Sequence, residues 1–168
     1  MLVALTLVLV SGLDIGGHVG AAFPTGGLER AHGTSAILGA SLGYSLGRFR
    51  GELAYDYTGL PGRQASSYHL SLHEVTASLG YEFLHRPGWG IEVAAGVASG
   101  FAQRSLGTGQ ESGWPNAFLI GLKFVQREGR SRLAAGLDNR LFIANRSGMG
   151  LAVIADLFSI QAGVGYVF

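Results

Sequence analysis

From residue 13 to residue 168 the chain keeps alternating apolar residues with small or polar ones. Residues 36–47 give the clearest stretch: Ala36, Leu38, Ala40, Leu42, Tyr44 and Leu46 alternate with Gly39, Ser41, Gly43, Ser45 and Gly47. A period of two puts successive side chains on opposite faces of an extended strand, so each stretch describes a strand with two unlike sides. No helical period of useful length interrupts the pattern, and no stretch after residue 12 is long and apolar enough for a membrane helix.

Eight such stretches can be read. The first sets Leu13, Ile15, Val19, Ala21 and Phe23 against Asp14, Gly16, His18 and Gly20; the third sets Phe49, Leu53, Tyr55 and Tyr57 against Arg50, Glu52 and Asp56. The fourth sets Val75, Ala77, Leu79, Tyr81 and Phe83 against Glu74, Thr76, Ser78, Gly80 and Glu82. The fifth sets Trp89, Ile91, Val93, Ala95 and Val97 against Gly90, Glu92, Ala94, Gly96 and Ala98. The sixth sets Phe118, Ile120, Leu122 and Phe124 against Gly121, Lys123 and Arg127. The seventh runs Leu133, Ala135, Leu137, Leu141 and Ile143 against Arg132, Gly136, Asp138 and Arg140, with Asn139 on the apolar face and Phe142 on the polar one. A β-bulge near Asp138 would repair that parity. The eighth sets Phe158, Ile160, Ala162, Val164, Tyr166 and Phe168 against Ser159, Gln161, Gly163 and Gly165.

The connections differ in kind. Gly47-Arg48, His85-Arg86-Pro87-Gly88 and Glu128-Gly129-Arg130 read as tight hairpin turns, whereas Pro24 to Thr34, Gly59 to Ser67 and Leu106 to Pro115 are longer and polar. The connection around Asn145 to Gly150 is short. Short turns on one side and longer loops on the other suit an eight-stranded antiparallel up-and-down transmembrane β-barrel over residues 13–168.

Alternation alone fits a soluble barrel with the apolar face inside as well as a membrane barrel with it outside. Composition decides between them. Charged residues are 14% of the chain and glycine is 28 of 168 residues, so the polar face is mostly Gly, Ser and Ala. A solvated surface would carry roughly twice that share of charge. An eight-stranded barrel has an interior that side chains fill, which small residues and a few charges suit. The aromatics also sort by height. Tyr44, Phe49, Tyr81, Phe83, Trp89, Phe124, Tyr166 and Phe168 flank the short turns, and Phe23, Tyr57, Phe101, Phe118 and Phe158 lie towards the long loops. Two aromatic belts around an aliphatic band are what a bilayer selects.

Gln161, Gly163, Tyr166 and Phe168, with Phe168 last in the sequence, resemble the closing-strand signal of bacterial outer-membrane proteins. With eight strands the chain resembles the small OmpA/OmpX-like barrel superfamily. The resemblance implies a location in the bacterial outer membrane, contact with its lipids and lipopolysaccharide, and insertion by the barrel assembly machinery. It implies no cofactor. Residues 1–12 contain an apolar run, Leu2 to Val10, followed by Ser11-Gly12, which reads as a truncated signal peptide without its basic segment.

The polar face also carries the chemistry. Glu52, Asp56, Glu74, Glu82 and Glu92 fall on the third to fifth stretches, and Lys123, Arg127, Arg132 and Arg140 on the sixth and seventh. In a closed barrel the third and seventh strands oppose each other. The expectation is a set of cross-lumen ion pairs, chiefly Glu52 or Glu92 with Lys123, Arg132 or Arg140, that plug the barrel, since a buried charge needs a partner. A narrow pore is the rival use of the same charges. A lipid-modifying enzyme similar to lipid A deacylases is another, because His69-Leu70-Ser71 places a His and a Ser two apart, with His73 beyond. That reading lacks an orienting acid, since Glu74 falls on the other face. His18, His32 and His85 are isolated, no three histidines have metal-ligand spacing, and there is no cysteine. A net charge of +1 without a clustered basic face gives no case for nucleic acid. Function would then rest on the outer loops, where Arg63, Tyr68 and Trp114 are candidate contacts, with no motif that names the partner.

Overall fold

The computed structural model describes residues 12–26, 28–30, 32–63, 68–106, 109–143 and 155–168. Nine strands follow one another: β1 (Leu13–Gly26), β2 (Ser35–Leu46), β3 (Phe49–Pro61), β4 (Tyr68–Arg86), β5 (Trp89–Leu106), β6 (Gly109–Gly113), β7 (Asn116–Glu128), β8 (Ser131–Ile143) and β9 (Ala155–Val167). All pairings are antiparallel and join consecutive strands, except that β6 and β7 both pair with β5, and β1 pairs with β9 from Asp14 opposite Val167 to Gly26 opposite Ala155. That last pairing closes an eight-stranded barrel and removes every edge along its wall.

The hairpin turns follow from glycine. Gly47 and Gly129 have φ of +62° and +59° at the first central position of their turns, where a type II′ hairpin requires glycine. Gly88, at +83°, follows Pro87 at the second position, the arrangement of a type II turn.

β6 is the strand that the alternation does not disclose. The segment Leu106 to Pro115 reads as a loop, yet Ala102 to Leu106 of β5 pairs with Gly113 to Gly109. β6 prolongs the line of β7 along β5. The line breaks at Trp114-Pro115, where proline has no N–H to give and Gly100 N donates to the Pro115 carbonyl at 3.1 Å. Its sequence, GQESG, has no apolar side to bury, so period two is silent there.

The bulge expected near Asp138 is absent. β7 and β8 keep one register from Asn116 opposite Ile143 to Glu128 opposite Ser131. Asn139 does face outward and Phe142 does face the lumen. The register shift lies instead between Glu82 and Leu84, where β4 turns into β5.

The outer wall is apolar and open. Ile15, Val19, Leu38, Leu53, Val75, Leu79, Val97, Ile120 and Val164 are each more than half exposed. A continuous apolar surface of this extent is unstable against water and is covered by lipid in a bilayer. Aromatic rings border it. Phe49 meets Tyr81 (5.1 Å between centroids), Trp89 stacks on Phe124 (5.8 Å) and Tyr166 meets Phe168 (5.3 Å) beside the short turns. Phe23 with Phe158 (6.2 Å) and Phe101 with Trp114 (5.4 Å) mark the opposite end. The expected signal segment, residues 1–12, falls outside the described residues apart from Gly12, as does the connection around Asn145 to Gly150.

Candidate functional site

The lumen is built in levels, set by how far each inward residue lies along its strand. Nearest the short turns, Arg50 Nη2 donates to Asp14 Oδ1 at 2.7 Å and also bonds Glu52 through Nη1. At the same end Arg132 approaches Glu92 at 3.3 Å, and Arg127 holds Glu82 with two bonds of 3.0 and 2.6 Å. The second level joins Lys123 Nζ to Glu52 at 2.9 Å and His18 Nε2 to Asp56 at 2.5 Å. The third is Arg140, which donates to Asp56 at 2.6 Å and to Glu74 at 3.2 Å.

The glycine-rich face makes these pairs possible. A methyl group on Gly39 would collide with both His18 and Asp56, and one on Gly43 would collide with the Arg50 guanidinium. Long charged side chains lie flat against bare backbone because the adjacent strand has no Cβ there. Asp138 similarly lies against Gly121, with its Oδ1 lacking a hydrogen-bond partner. Charged groups held this closely in a low-dielectric interior each need their partner, because the cost of an unpaired buried charge is several kcal/mol.

Above Arg140 the lumen changes character. Ile37, Leu60, Leu70, Leu72, Phe142 and Leu157 face inward near the long-loop end and form one buried cluster with Leu28 from the β1–β2 connection. This apolar layer is what the misfit Phe142 belongs to. Between the wall and the charged levels a cavity of about 60 Å³ remains, lined by His18, Glu52, Asp56, Lys123, Asp138 and Arg140 among others. That is room for a few waters.

The sequence-derived site residues therefore share one lumen, with partners that differ in detail from the expectation. Glu52 meets Lys123 and Glu92 meets Arg132, while Arg140 turns to Asp56 and Glu74. Asp14 and His18 also belong to the network and were not among the expected pairs. Their inward parity on the first stretch was the available signal. Gln161 and Gly163 face the lumen, with the Gln161 amide donating to Ser159 at 3.1 Å, and Tyr166 and Phe168 face outward.

The His-Ser stretch on β4 is not assembled as a nucleophile and base. His69, Ser71 and His73 all lie on the outer face, but Ser71 Oγ donates to the Gln103 carbonyl (3.4 Å) and His73 Nδ1 is taken by Tyr55 Oη (2.7 Å). Glu74 lies inside against Arg140. Among the described residues no group of three acidic or histidine side chains could hold a metal ion. Trp114 is 62% exposed and Arg63 is exposed, whereas Tyr68 is half-buried at the start of β4.

No protein-family model and no curated protein sequence matches the chain. Solved structures do. Neisserial surface protein A is similar with a TM-score of 0.72 and 20% identity, covering 94% of this chain and 98% of that one. The attachment invasion locus protein Ail of Yersinia pestis is similar with a TM-score of 0.64 and 12% identity, over 94% of this chain and 99% of that one. The N-terminal β-barrel domain of Pseudomonas aeruginosa OprF gives 0.59 and 18%, over 93% and 98%. The fold is that of the small bacterial outer-membrane β-barrels, and the apolar outer wall is that of a barrel spanning the bilayer.

Proposed function

We propose that the protein is a closed outer-membrane scaffold that presents its long-loop end as an interaction surface, and that it does not conduct. The observation that carries this reading is the two-layer filling of the lumen: an ion-pair network beneath, with a cavity of only about 60 Å³ among its charged levels, and an apolar cluster above. An ion would have to break buried pairs and then cross Ile37, Leu60 and Phe142 without water. What supports the interaction role is the projection of β4, β5 and β6 beyond the barrel at that end and the exposed Trp114 beside them. One neighbour of like fold, Ail, has been solved with the heparin analogue sucrose octasulfate, which fits a ligand-binding use of this kind of barrel. Recording from planar bilayers tests the closed lumen. The expected record is a flat baseline at moderate voltage; steady unitary channels that vanish on Glu52→Ala would overturn the reading.

A further inference from the structure

The outer face of β3 and β4 carries polar rings where the neighbouring wall is aliphatic. His73 stands in register between Tyr57 of β3 and Phe101 of β5, so it occupies a place in the aromatic belt at the long-loop end. Its ring lies 4.9 Å from that of Tyr57. Tyr55 Oη meets its Nδ1 at 2.7 Å. With the phenol donating, neutral His73 carries its proton on Nε2, a donor that no described protein group accepts. His69 comes four residues closer to the loops on the same face, beyond Ser71, and is exposed. A methyl on Gly59 would lie 3.2 Å from His69 Cε1 and 3.3 Å from Tyr57 Oη, so the two rings share the space that Gly59 leaves open. His69 pairs in register with Pro61, and Arg63 follows, exposed and without an ion pair among the described residues.

The belt marks the level where acyl chains give way to headgroups. A donor facing that layer stays satisfied only if the layer supplies an acceptor, and hydrogen bonds to a charged acceptor are the stronger kind. Two imidazoles with a guanidinium above them favour an anion with several acceptor oxygens. Below them, Leu53 and Val75 offer an aliphatic wall along which a chain can lie. Phosphate attached to acyl chains meets both requirements, whereas free phosphate meets only one.

We propose that His73, and His69 and Arg63 at successive heights above it, dock the phosphorylated headgroup of a glycolipid of the lipid A type in the leaflet on the long-loop side. The proposal rests on the membrane reading of the outer wall and adds a specific lipid contact to it.

The test is native mass spectrometry of the folded protein in detergent, offered diphosphoryl lipid A, dephosphorylated lipid A or inorganic phosphate. The native protein should retain the diphosphoryl form about tenfold better than the dephosphorylated one, as one charge-assisted hydrogen bond allows. The double variant His69→Leu, His73→Leu should lose that preference while keeping the gel mobility of a folded barrel. His73→Gln, which keeps a side-chain N–H donor, should retain part of it. Equal retention of the two lipids by a folded protein would overturn the proposal, and so would a preference undiminished in the double variant. Displacement of the lipid by millimolar inorganic phosphate would overturn it too, by showing a free-anion site. A protein that fails to insert into lipid vesicles at all would overturn the membrane reading itself, which separates the two failures.

Discussion

Arg140 reaches from β8 to Asp56 on β3, with Nη2 2.6 Å from Oδ2, and its Nη1 holds Glu74 of β4 at 3.2 Å. Arg140 and Asp56 are 1% and 3% exposed, so neither charge reaches bulk solvent. One guanidinium thus holds two carboxylates at the boundary between the ionic and apolar layers of the lumen.

Removing that guanidinium should cost more than any surface change. Arg140→Met strands Asp56 and Glu74 in the interior, although His18 still faces Asp56. The expected loss is about 3–5 kcal/mol, the usual cost of breaking a buried pair on one side. Adding Asp56→Asn and Glu74→Gln should recover a large part of it, because the stranded charges go with the arginine. Urea unfolding of the barrel in detergent micelles measures both. A single variant within about 0.5 kcal/mol of the native protein would show that water reaches these carboxylates.

Close backbone approach makes a second prediction. A methyl at Gly100 would collide with the His73 carbonyl and lie 2.9 Å from Glu74 Cα, both backbone atoms that cannot step aside. At Gly51, on the outer wall, nothing lies within 4 Å. Gly100→Ala should destabilise by about 1–3 kcal/mol, as overpacking does. Gly51→Ala should be neutral or slightly stabilising, because it narrows the unfolded ensemble. The same urea titration compares them, and equal effects would contradict the packing of β4 on β5.

The eight wall strands and their facing are legible in the sequence because lipid outside and a narrow lumen inside impose opposite demands at every second residue. Val75 and Glu74 could not exchange places. What escapes is whatever period two does not encode. The short polar β6 buries no face. Phe142 breaks the inside-polar rule because the lumen itself becomes apolar near the loops, where it packs with Ile37 and Leu60. A rule for the whole strand therefore suggests a bulge that the backbone does not make. Pairing partners escape too: parity places Asp56, Glu74 and Arg140 inside, but only the stagger of the strands decides that Arg140 meets Asp56 rather than Glu52.

His32 gives the long-loop end a dependence on pH. It is 3% exposed in the β1–β2 connection and bridged to Gly62, with its Nδ1 lacking a partner. Burial, then the positive charge of Arg104, holds its pKa below the ordinary imidazole range. A base with a depressed folded pKa binds more protons when unfolded. Its contribution is intact above the ordinary value of about 6.5 and is lost as pH falls below that towards the folded value. Proteolysis of this end should quicken between pH 7.5 and 5 in the native protein and vary less with pH in His32→Gln. Identical pH profiles would remove His32 as the cause.

The closing strand separates folding from assembly. Phe168 N donates to the Leu13 carbonyl at 2.9 Å and Val167 N to Arg130 O at 2.7 Å, so the backbone of this strand end is tied down without help from the last ring. The ring itself is half exposed and packs edge-on against Tyr166. Phe168→Ala therefore removes one aromatic contact, worth about 0.5–1.5 kcal/mol beyond the area buried. Refolding into detergent should proceed to a barrel of nearly native urea midpoint. If Gln161, Gly163, Tyr166 and Phe168 act together as an insertion signal, accumulation of the same variant in outer membranes should fall several-fold, well beyond what so small a loss of stability predicts. Arg130→Gln serves as the control, since it breaks the 3.0 Å bond to the Tyr166 hydroxyl and leaves the four signal residues intact. Equal membrane levels of Phe168→Ala and the native chain would reduce the closing aromatics to belt residues that anchor the finished barrel.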